Sequence, residues 1–134
     1  MEKTQQRNLV LILARELAAN SATPMFVVDP EGNLVFFNEP AESVLGRSFA
    51  ETGPLTPSEW GTMFEPIDGD GQMIPVEQLP LTKALRHLQP GHISMGITGM
   101  DGERKTIEVT AIPLFARANE FVGAIAIFWE AKGS

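Results

Sequence analysis

The sequence predicts one α+β domain, a five-stranded antiparallel sheet with helices on one face and an amphipathic N-terminal helix on the other. Three observations lead to this prediction. The chain has 134 residues, a length that suits one domain. Five short runs have the apolar patterning of strands, two near the N-terminus and three near the C-terminus. Segments with helical periodicity precede and separate these two groups.

The composition is that of an ordinary globular protein, and it excludes several classes of function. Hydrophobic residues make up 43% of the chain and charged residues 20%. The formal net charge is −7, so we expect no nucleic-acid partner, because such a partner requires a basic surface. The absence of cysteine excludes disulfides, thiolate metal sites and cysteine nucleophiles. The longest apolar run, Leu9 to Leu13, is too short to span a bilayer. We therefore expect no membrane partner and a cytoplasmic location.

Residues 1–20 are predicted to form a separate helix that caps the domain or mediates dimerisation. Helix-forming residues continue without a break as far as Asn20. Four large aliphatic side chains share one stripe at helical spacing: Leu9, Ile12, Leu13 and Leu17. Val10 and Leu11 make the apolar surface wider than one contact would bury, so the helix needs two neighbours. It either lies on its own domain, expected over residues 21–131, or contacts a partner chain.

A hairpin and a short helix follow the N-terminal helix. Met25–Val28 and Leu34–Phe37 have strand character, and the turn between them contains Pro, Gly and Asn. Asn38 is a typical N-cap for a short helix that ends at Gly46. Both strands are apolar on both faces, so the sheet must be covered on both sides here.

The middle of the chain, residues 47–75, is rich in Gly, Pro, Thr and Asp. This composition predicts loops around one helical turn near Trp60. Residues 68–71 have the spacing that opens a calcium-binding loop, but Gln72 and Leu79 stand where such a loop needs oxygen ligands. We therefore expect a plain turn and no metal site.

A helix and three strands complete the prediction. Residues 80–88 place Leu81, Leu85 and Leu88 on one face of a helix that ends before a Pro-Gly pair. Strands are expected at residues 92–98, 104–115 and 121–130.

The alternation of side chains assigns residues to the two faces of the sheet. In the first hairpin one face carries Phe26, Val28, Val35 and Phe37. The other face carries Met25, Val27, Leu34 and Phe36. Three small residues on the inner face leave space beneath the helices: Ala111, Ala124 and Ala126. Either Phe37, Phe64 and Trp60 fill this space, or a small apolar molecule does.

These assignments define two candidate sites. We expect a ligand pocket between the inner face of the sheet and the helix over residues 81–88. The expected pocket residues are Phe26, Val28, Val35, Phe37, Asn38, Leu45, Leu81, Leu85, Ile97, Ile107, Val109, Ala111, Ala126 and Phe128. The expected dimer or partner surface comprises Leu9, Ile12, Leu13, Leu17, Val27, Phe36, Ile125, Ile127 and Trp129.

The order and spacing of several motifs resemble a PAS sensor domain. Residues 29–38 followed by residues 39–46 have the pattern of the family's opening: a strand, an Asp-x-x-Gly turn, a strand, an Asn, a short helix and a Gly. Gly102, residues 112–114 and residues 122–128 resemble its closing strands. Between them, Glu59-Trp60, the Asp-Gly turn and residues 75–85 look like the variant PAS domains of bacterial sensor histidine kinases and related regulators. The resemblance covers residues 15–130.

The resemblance implies a sensory domain that binds a small, largely apolar ligand and signals as a homodimer, as in two-component systems. The output would pass through a partner or through an output domain that has been removed. Without cysteine, the covalent chromophore chemistry of the light-sensing members is excluded. Haem is not expected, because residues 79–81 occupy the place of the family's haem-binding His. We expect His87 and His92 to be exposed or capping residues, and the identity of any cofactor stays open.

An enzymatic role is not expected. Proximity in sequence offers no nucleophile–base pair, and the chain has no G-x-S-x-G, Walker or dinucleotide-binding motif. The alternative to a ligand sensor is a ligand-free module for dimerisation or protein interaction, with a packed interior. Both interpretations predict a homodimer, so the occupancy of the interior distinguishes them.

Overall fold

The computed structural model describes residues 2–117 and 120–131, with side chains from Leu9 onward. The helices are α1 (Glu2–Ala19), α2 (Glu39–Leu45), α3 (Phe49–Thr52), α4 (Pro57–Met63), a 3-10 turn (Val76–Gln78) and α5 (Pro80–His87). The strands are β1 (Met25–Val28), β2 (Leu34–Phe37), β3 (Gly91–Thr98), β4 (Arg104–Phe115) and β5 (Phe121–Glu130). The bounds of β1, β2, β4 and β5 are those predicted from the sequence. The predicted helical turn near Trp60 is longer, and α3 was not expected.

The strands form one antiparallel sheet in the order β2-β1-β5-β4-β3. The N-terminal hairpin therefore pairs with the last strand, and Val27 lies opposite Ile125 across the β1–β5 pair. Two apolar clusters flank the sheet. The larger lies under the helices that follow β2, and the smaller lies under α1. This confirms the predicted α+β class, with helices on one face and the N-terminal helix on the other.

The short helices begin where the sequence provides capping side chains. At α4, Thr56 accepts a hydrogen bond from the Glu59 amide, and the Glu59 carboxylate accepts one from the Thr56 amide over 2.8 Å. This reciprocal capping box satisfies donors that the first helical turn leaves free. Hydrogen bonds to the Glu59 carboxylate, from the Thr56 backbone amide and then from the Thr56 side chain, lower the pKa of Glu59 from its ordinary value.

A bulge in the first hairpin changes which residues face the helices. Val27 pairs with Phe36, whereas Val28 pairs with Leu34, so Val35 is an extra residue on β2. Leu34 consequently joins the larger core, and Val35 packs against the cluster under α1. The prediction that Val35 faces the pocket is therefore wrong, because simple alternation does not continue through a bulge.

Both edges of the sheet are bridged by loop residues. At the β2 edge, the Leu34 amide donates to the Leu55 carbonyl over 2.7 Å, and the Leu55 amide returns a bond of 3.2 Å. At the β3 edge, Ile67 and Gly96 exchange two backbone hydrogen bonds of 2.9 Å each. Two segments predicted to be loops thus each add a one-residue bridge to an edge of the sheet.

Helix α1 packs on the sheet through its small residues. Ala14 and Ala18 are buried against Val27 and Ile125. The large aliphatic stripe faces the other way, and its side chains are 54–60% exposed: Leu9, Ile12, Leu13 and Leu17. The helix thus covers the outer face of the sheet and leaves an apolar surface of its own uncovered within the described chain.

Candidate functional site

An apolar cavity of about 60 Å³ lies between the inner face of the sheet and the helices. Every lining residue has a hydrophobic side chain. The lining comprises Phe26, Leu45, Trp60, Phe64, Pro66, Leu79, Pro80, Leu81, Met95, Ile97, Ile107, Val109, Ala126 and Phe128. Such a site offers dispersion contacts but no side-chain hydrogen bond, so it favours an uncharged apolar occupant.

Eight residues of the expected pocket line this cavity: Phe26, Leu45, Leu81, Ile97, Ile107, Val109, Ala126 and Phe128. Val28, Phe37 and Ala111 belong to the same core but lie away from the void. Leu85 is half-buried beside Gly32 and also lies outside the lining. The cavity therefore lies farther along the sheet from the first hairpin than the pocket that alternation predicts.

Aromatic side chains pack together beside the cavity. The Phe26 ring packs edge-on against Phe128, with ring centroids 5.2 Å apart, and lies 5.6 Å from Phe37. The Trp60 indole N–H donates to the Gly32 carbonyl over 2.8 Å, which fixes α4 against the first turn of the sheet. The aromatic rings therefore lie in the interior, as the first alternative predicts, and a small cavity remains beside them.

The small residues of β4 and β5 serve mainly to admit helix α5. Ala84 of this helix is fully buried, and α5 packs directly against both strands. Ala111 and Ala124 are also fully buried without lining the cavity. The expectation that all three alanines leave space beneath the helices is thus corrected, because the close approach of α5 uses much of that space. Of the three, only Ala126 lies in the cavity wall.

Six lining residues were absent from the expected pocket: Trp60, Phe64, Pro66, Leu79, Pro80 and Met95. Met95 shares a face with Ile97, so strand alternation indicated its direction. Trp60 and Phe64 were anticipated as interior residues by their size. Pro66 and Leu79 lie in irregular segments, where no periodicity marks the inward-facing positions.

Asn38 connects four segments by hydrogen bonds, although it is only 1% exposed. Its Oδ1 accepts from the amides of Met25 and Ala41, over 3.0 and 3.1 Å. Its Nδ2 donates to the carbonyls of Ala18 and Thr23, over 2.8 Å each. Asn38 thus caps α2, as expected, and also holds the last turn of α1 and the start of β1. It lies outside the cavity lining.

The outer face of the sheet differs from the expected open patch. Val27 and Ile125 are buried under α1, so the expectation that they face a partner is corrected by the chain's own helix. Phe36 is half-buried, and the Arg15 guanidinium lies 5.3 Å from its ring centroid. Ile127 is half-buried, whereas Trp129 remains 43% exposed near the end of β5.

A polar network crosses β3 and β4 on the same outer face. His92 Nδ1 lies 2.6 Å from Thr110 Oγ1, and His92 Nε2 lies 2.8 Å from Glu108 Oε1. The Ser94 hydroxyl donates to Glu108 Oε2 over 2.7 Å. The hydrogen bonds from Ser94 and then His92 lower the pKa of Glu108 from its ordinary value. This hydrogen-bonded network of hydroxyl, imidazole and carboxylate groups lies on an exposed sheet surface, on the opposite face from the cavity.

No protein-family model matches the chain, and no curated protein matches it. Solved structures do. The PAS domain of a protein from Colwellia psychrerythraea is 18% identical, with a TM-score of 0.63, and the match covers 91% of this chain and 97% of that chain. The chain has the PAS fold. A second PAS-fold match is the Rhodobacter sphaeroides LOV protein, 14% identical with a TM-score of 0.68, over 97% of this chain and 69% of that chain. A third is the light-state dimer of the fungal blue-light photoreceptor Vivid, 15% identical with a TM-score of 0.62, over 83% and 79% of the two chains.

The PAS cavity of this chain does not fit the large cofactors found in some domains of this fold. A flavin ring requires polar partners, and no polar side chain lines the cavity. A haem requires an axial ligand, but His87 is exposed at the end of α5 and His92 lies on the outer face. The volume of about 60 Å³ is also far below the several hundred Å³ typical of cofactor sites.

Among the helices of the described residues, none is both long and apolar enough to cross a membrane.

Proposed function

We propose that this chain is a non-catalytic, intracellular sensory domain that binds a small, uncharged apolar molecule in its core. The observation that carries the proposal is the cavity itself, a small pocket lined only by hydrophobic side chains of the larger core and of the segments beside it. Apolar voids of this kind exclude water and admit apolar molecules, as an engineered cavity of about 150 Å³ admits benzene or xenon. The smaller void here favours an occupant of only a few heavy atoms.

The signalling part of the proposal is supported by the wall that the cavity shares with α1. Phe26 and Ala126 face the cavity from β1 and β5. Their neighbours Val27 and Ile125 on the same strands support α1 from the other side. A molecule that displaces the inner side chains thus acts on strands that carry the helix directly. Occupancy would then shift α1 between two packings for which the molecule has different affinity.

We further propose that the signal is transmitted in a homodimer formed through the exposed stripe of α1. Four aliphatic side chains on one helix face are more than half exposed, and such surfaces mark interaction sites. The same stripe on a second copy would complete an isologous contact across a two-fold axis. One structure that this chain resembles, that of Vivid, is described as a light-state dimer.

Binding to the cavity is tested by titration with xenon and with uncharged hydrocarbons of increasing size, followed by methyl NMR. Saturable shifts are expected for the methyl groups of Ile107 and Leu81, with smaller molecules binding more tightly. The variant Ala126→Val adds two carbon atoms to the side chain in the cavity wall and should abolish the response. The control Ala50→Val lies at an exposed position and should leave it intact. Saturation at other sites only, or an unchanged response in Ala126→Val, would overturn the proposal.

A second candidate is a ligand-free interaction module. The aromatic packing favours it, because the rings of Trp60 and Phe64 occupy space beneath the helices that an occupant would need. In that case the titration would show no saturable shift, and Ala126→Val would alter only stability. The α1 stripe would still mediate association.

A further inference from the structure

The side chain of Asn38 makes more hydrogen bonds than a helix cap needs. A cap requires only an acceptor for amides of the first turn, and Oδ1 supplies this to Ala41. The amide nitrogen is used differently. Both of its protons are directed backward along the chain, to the carbonyls of Ala18 and Thr23. Oδ1 also accepts a hydrogen bond from the Met25 amide. One buried side chain thus joins α1, the segment after it, β1 and α2.

One end of this connection is the last turn of α1. The carbonyl of Ala18 is among those that a helix leaves without an intrahelical partner, and it accepts from Asn38 and from the Ser21 amide. The helix otherwise holds to the sheet mainly through Ala14, Ala18 and the half-buried Leu11. Because these contacts are small, the buried hydrogen bond from Asn38 is a substantial part of what docks α1.

The other end of the connection is the cavity. Asn38 begins α2, and Leu45 at the end of the same seven-residue helix lines the cavity. The Lys105 ammonium donates to the carbonyls of Ser43 and Val44 at 3.1 and 3.0 Å, so the far end of α2 is held by β4. A displacement of Leu45 therefore pivots a short, rigid helix whose N-terminal end is bonded to α1.

We infer that Asn38 is a positioning residue that couples occupancy of the cavity to the docking of α1. An occupant that displaces Leu45 moves the N-terminal end of α2 and lengthens the bond between Asn38 Nδ2 and the Ala18 carbonyl. The last turn of α1 then opens more often. This inference rests on the proposed ligand cavity and adds the route by which its state reaches the helix.

Amide hydrogen exchange of α1, measured with and without xenon, tests the coupling. In the wild-type chain xenon should speed exchange in the last turn of α1 by about twofold or more. In Asn38→Ser the hydroxyl can still cap α2 but is too short to reach Ala18, so exchange there should be about fivefold faster without xenon. The xenon effect on α1 should then shrink to the part that β1 and β5 transmit directly, although the methyl shifts of Ile107 still report binding. Asn38→Asp, which keeps the acceptor and lacks the amide protons, should behave in the same way.

The control Ser48→Ala removes the N-cap of α3, whose hydroxyl accepts from Glu51, and should leave α1 exchange and its response unchanged. A xenon response of α1 that is as large in Asn38→Ser as in the wild-type chain would overturn the coupling. If xenon does not enter the cavity, the proposed function fails and the coupling is judged separately with Ala126→Val. That substitution should speed α1 exchange by a larger factor in the wild-type background than in Asn38→Ser. Equal effects in both backgrounds would overturn the inference.

Discussion

At the scale of single residues, Gly123 in β5 stands where a neighbouring strand leaves no room for a side chain. Its φ is +140°, a conformation that residues with a side chain rarely adopt. A Cβ at this position would overlap the Val28 carbonyl oxygen and lie 3.0 Å from Leu11 Cδ2. Glycine here allows β5 to pass under α1 and beside β1 at the same point.

Gly123→Ala is therefore expected to lower the free energy of unfolding by about 3 kcal/mol, because the strand must shift and the backbone is strained. Urea unfolding measures the change. Gly69→Ala is the matched control, since a Cβ there meets nothing within 4 Å and its φ is not in the left-handed region. A loss at Gly123 no larger than that at Gly69 would contradict the packing described.

The residue Glu108 predicts a specific dependence of stability on pH. Its pKa is lowered in the folded chain by the Ser94 hydroxyl and then by His92, from an ordinary value of 4.5. The ionised carboxylate therefore stabilises the fold above about pH 4.5, and this contribution is lost as the pH falls through the lower folded pKa. The difference in urea midpoint between wild type and Glu108→Gln should thus be largest near neutral pH and shrink in acid.

The control for this prediction is Glu77→Gln, which replaces an exposed carboxylate in the 3-10 turn. Its midpoint should follow that of the wild type across the same pH range. Parallel midpoints for wild type and Glu108→Gln would show that the outer-face network does not stabilise the fold.

At the scale of secondary-structure elements, α1 shows where sequence patterns are decisive and where they are not. Strand bounds followed from alternation and turn residues, and four of five strands begin and end where predicted. The orientation of α1 did not follow, because the helix is apolar on both sides. The structure buries Ala14 and Ala18, since the large side chains of Val27 and Ile125 leave room only for small partners.

The lining of the cavity was likewise predictable where it comes from regular strands, and not where it comes from a bulge or a loop. Regular strands gave correct directions for Ile107, Val109 and Phe128, which face the cavity. Val35 was misplaced, because a bulge depends on how two strands pair and not on either strand alone. Loop residues such as Pro66 reach the cavity through contacts distant in sequence, which no local pattern encodes.

The close fit of α1 predicts opposite results for two neighbouring alanines. Ala18 is fully buried and Ala19 is exposed. Ala18→Leu should overpack the contact at a cost of about 2 kcal/mol and undock α1, whereas Ala19→Leu should not. Trypsin cleavage after Arg15 measures docking, and it should be at least about tenfold faster in Ala18→Leu, with the melting of the sheet nearly unchanged. Equal cleavage rates for the two variants would contradict the orientation of the helix.

At the scale of the whole molecule, the exposed stripe of α1 governs the predicted association. Leu13 is 58% exposed, so Leu13→Asp should change the stability of a single chain by no more than about 0.5 kcal/mol. It should nevertheless abolish the dimer, because a charge would be buried in an apolar contact. Sedimentation equilibrium measures the dissociation constant. Met73→Asp, also 58% exposed but in a loop away from α1, is the control and should leave dimerisation intact. A wild-type chain that stays monomeric, or a Leu13→Asp dimer, would refute the interface.

The two bridged edges of the sheet have a consequence for behaviour at high concentration. Exposed edge strands invite uncontrolled strand-to-strand stacking between copies, which leads to aggregates. Here Leu55 occupies hydrogen-bonding positions at one edge and Ile67 does so at the other. A concentrated solution of the chain should therefore resist growth of fibrils, and unfolding of these two loops should be the event that starts them.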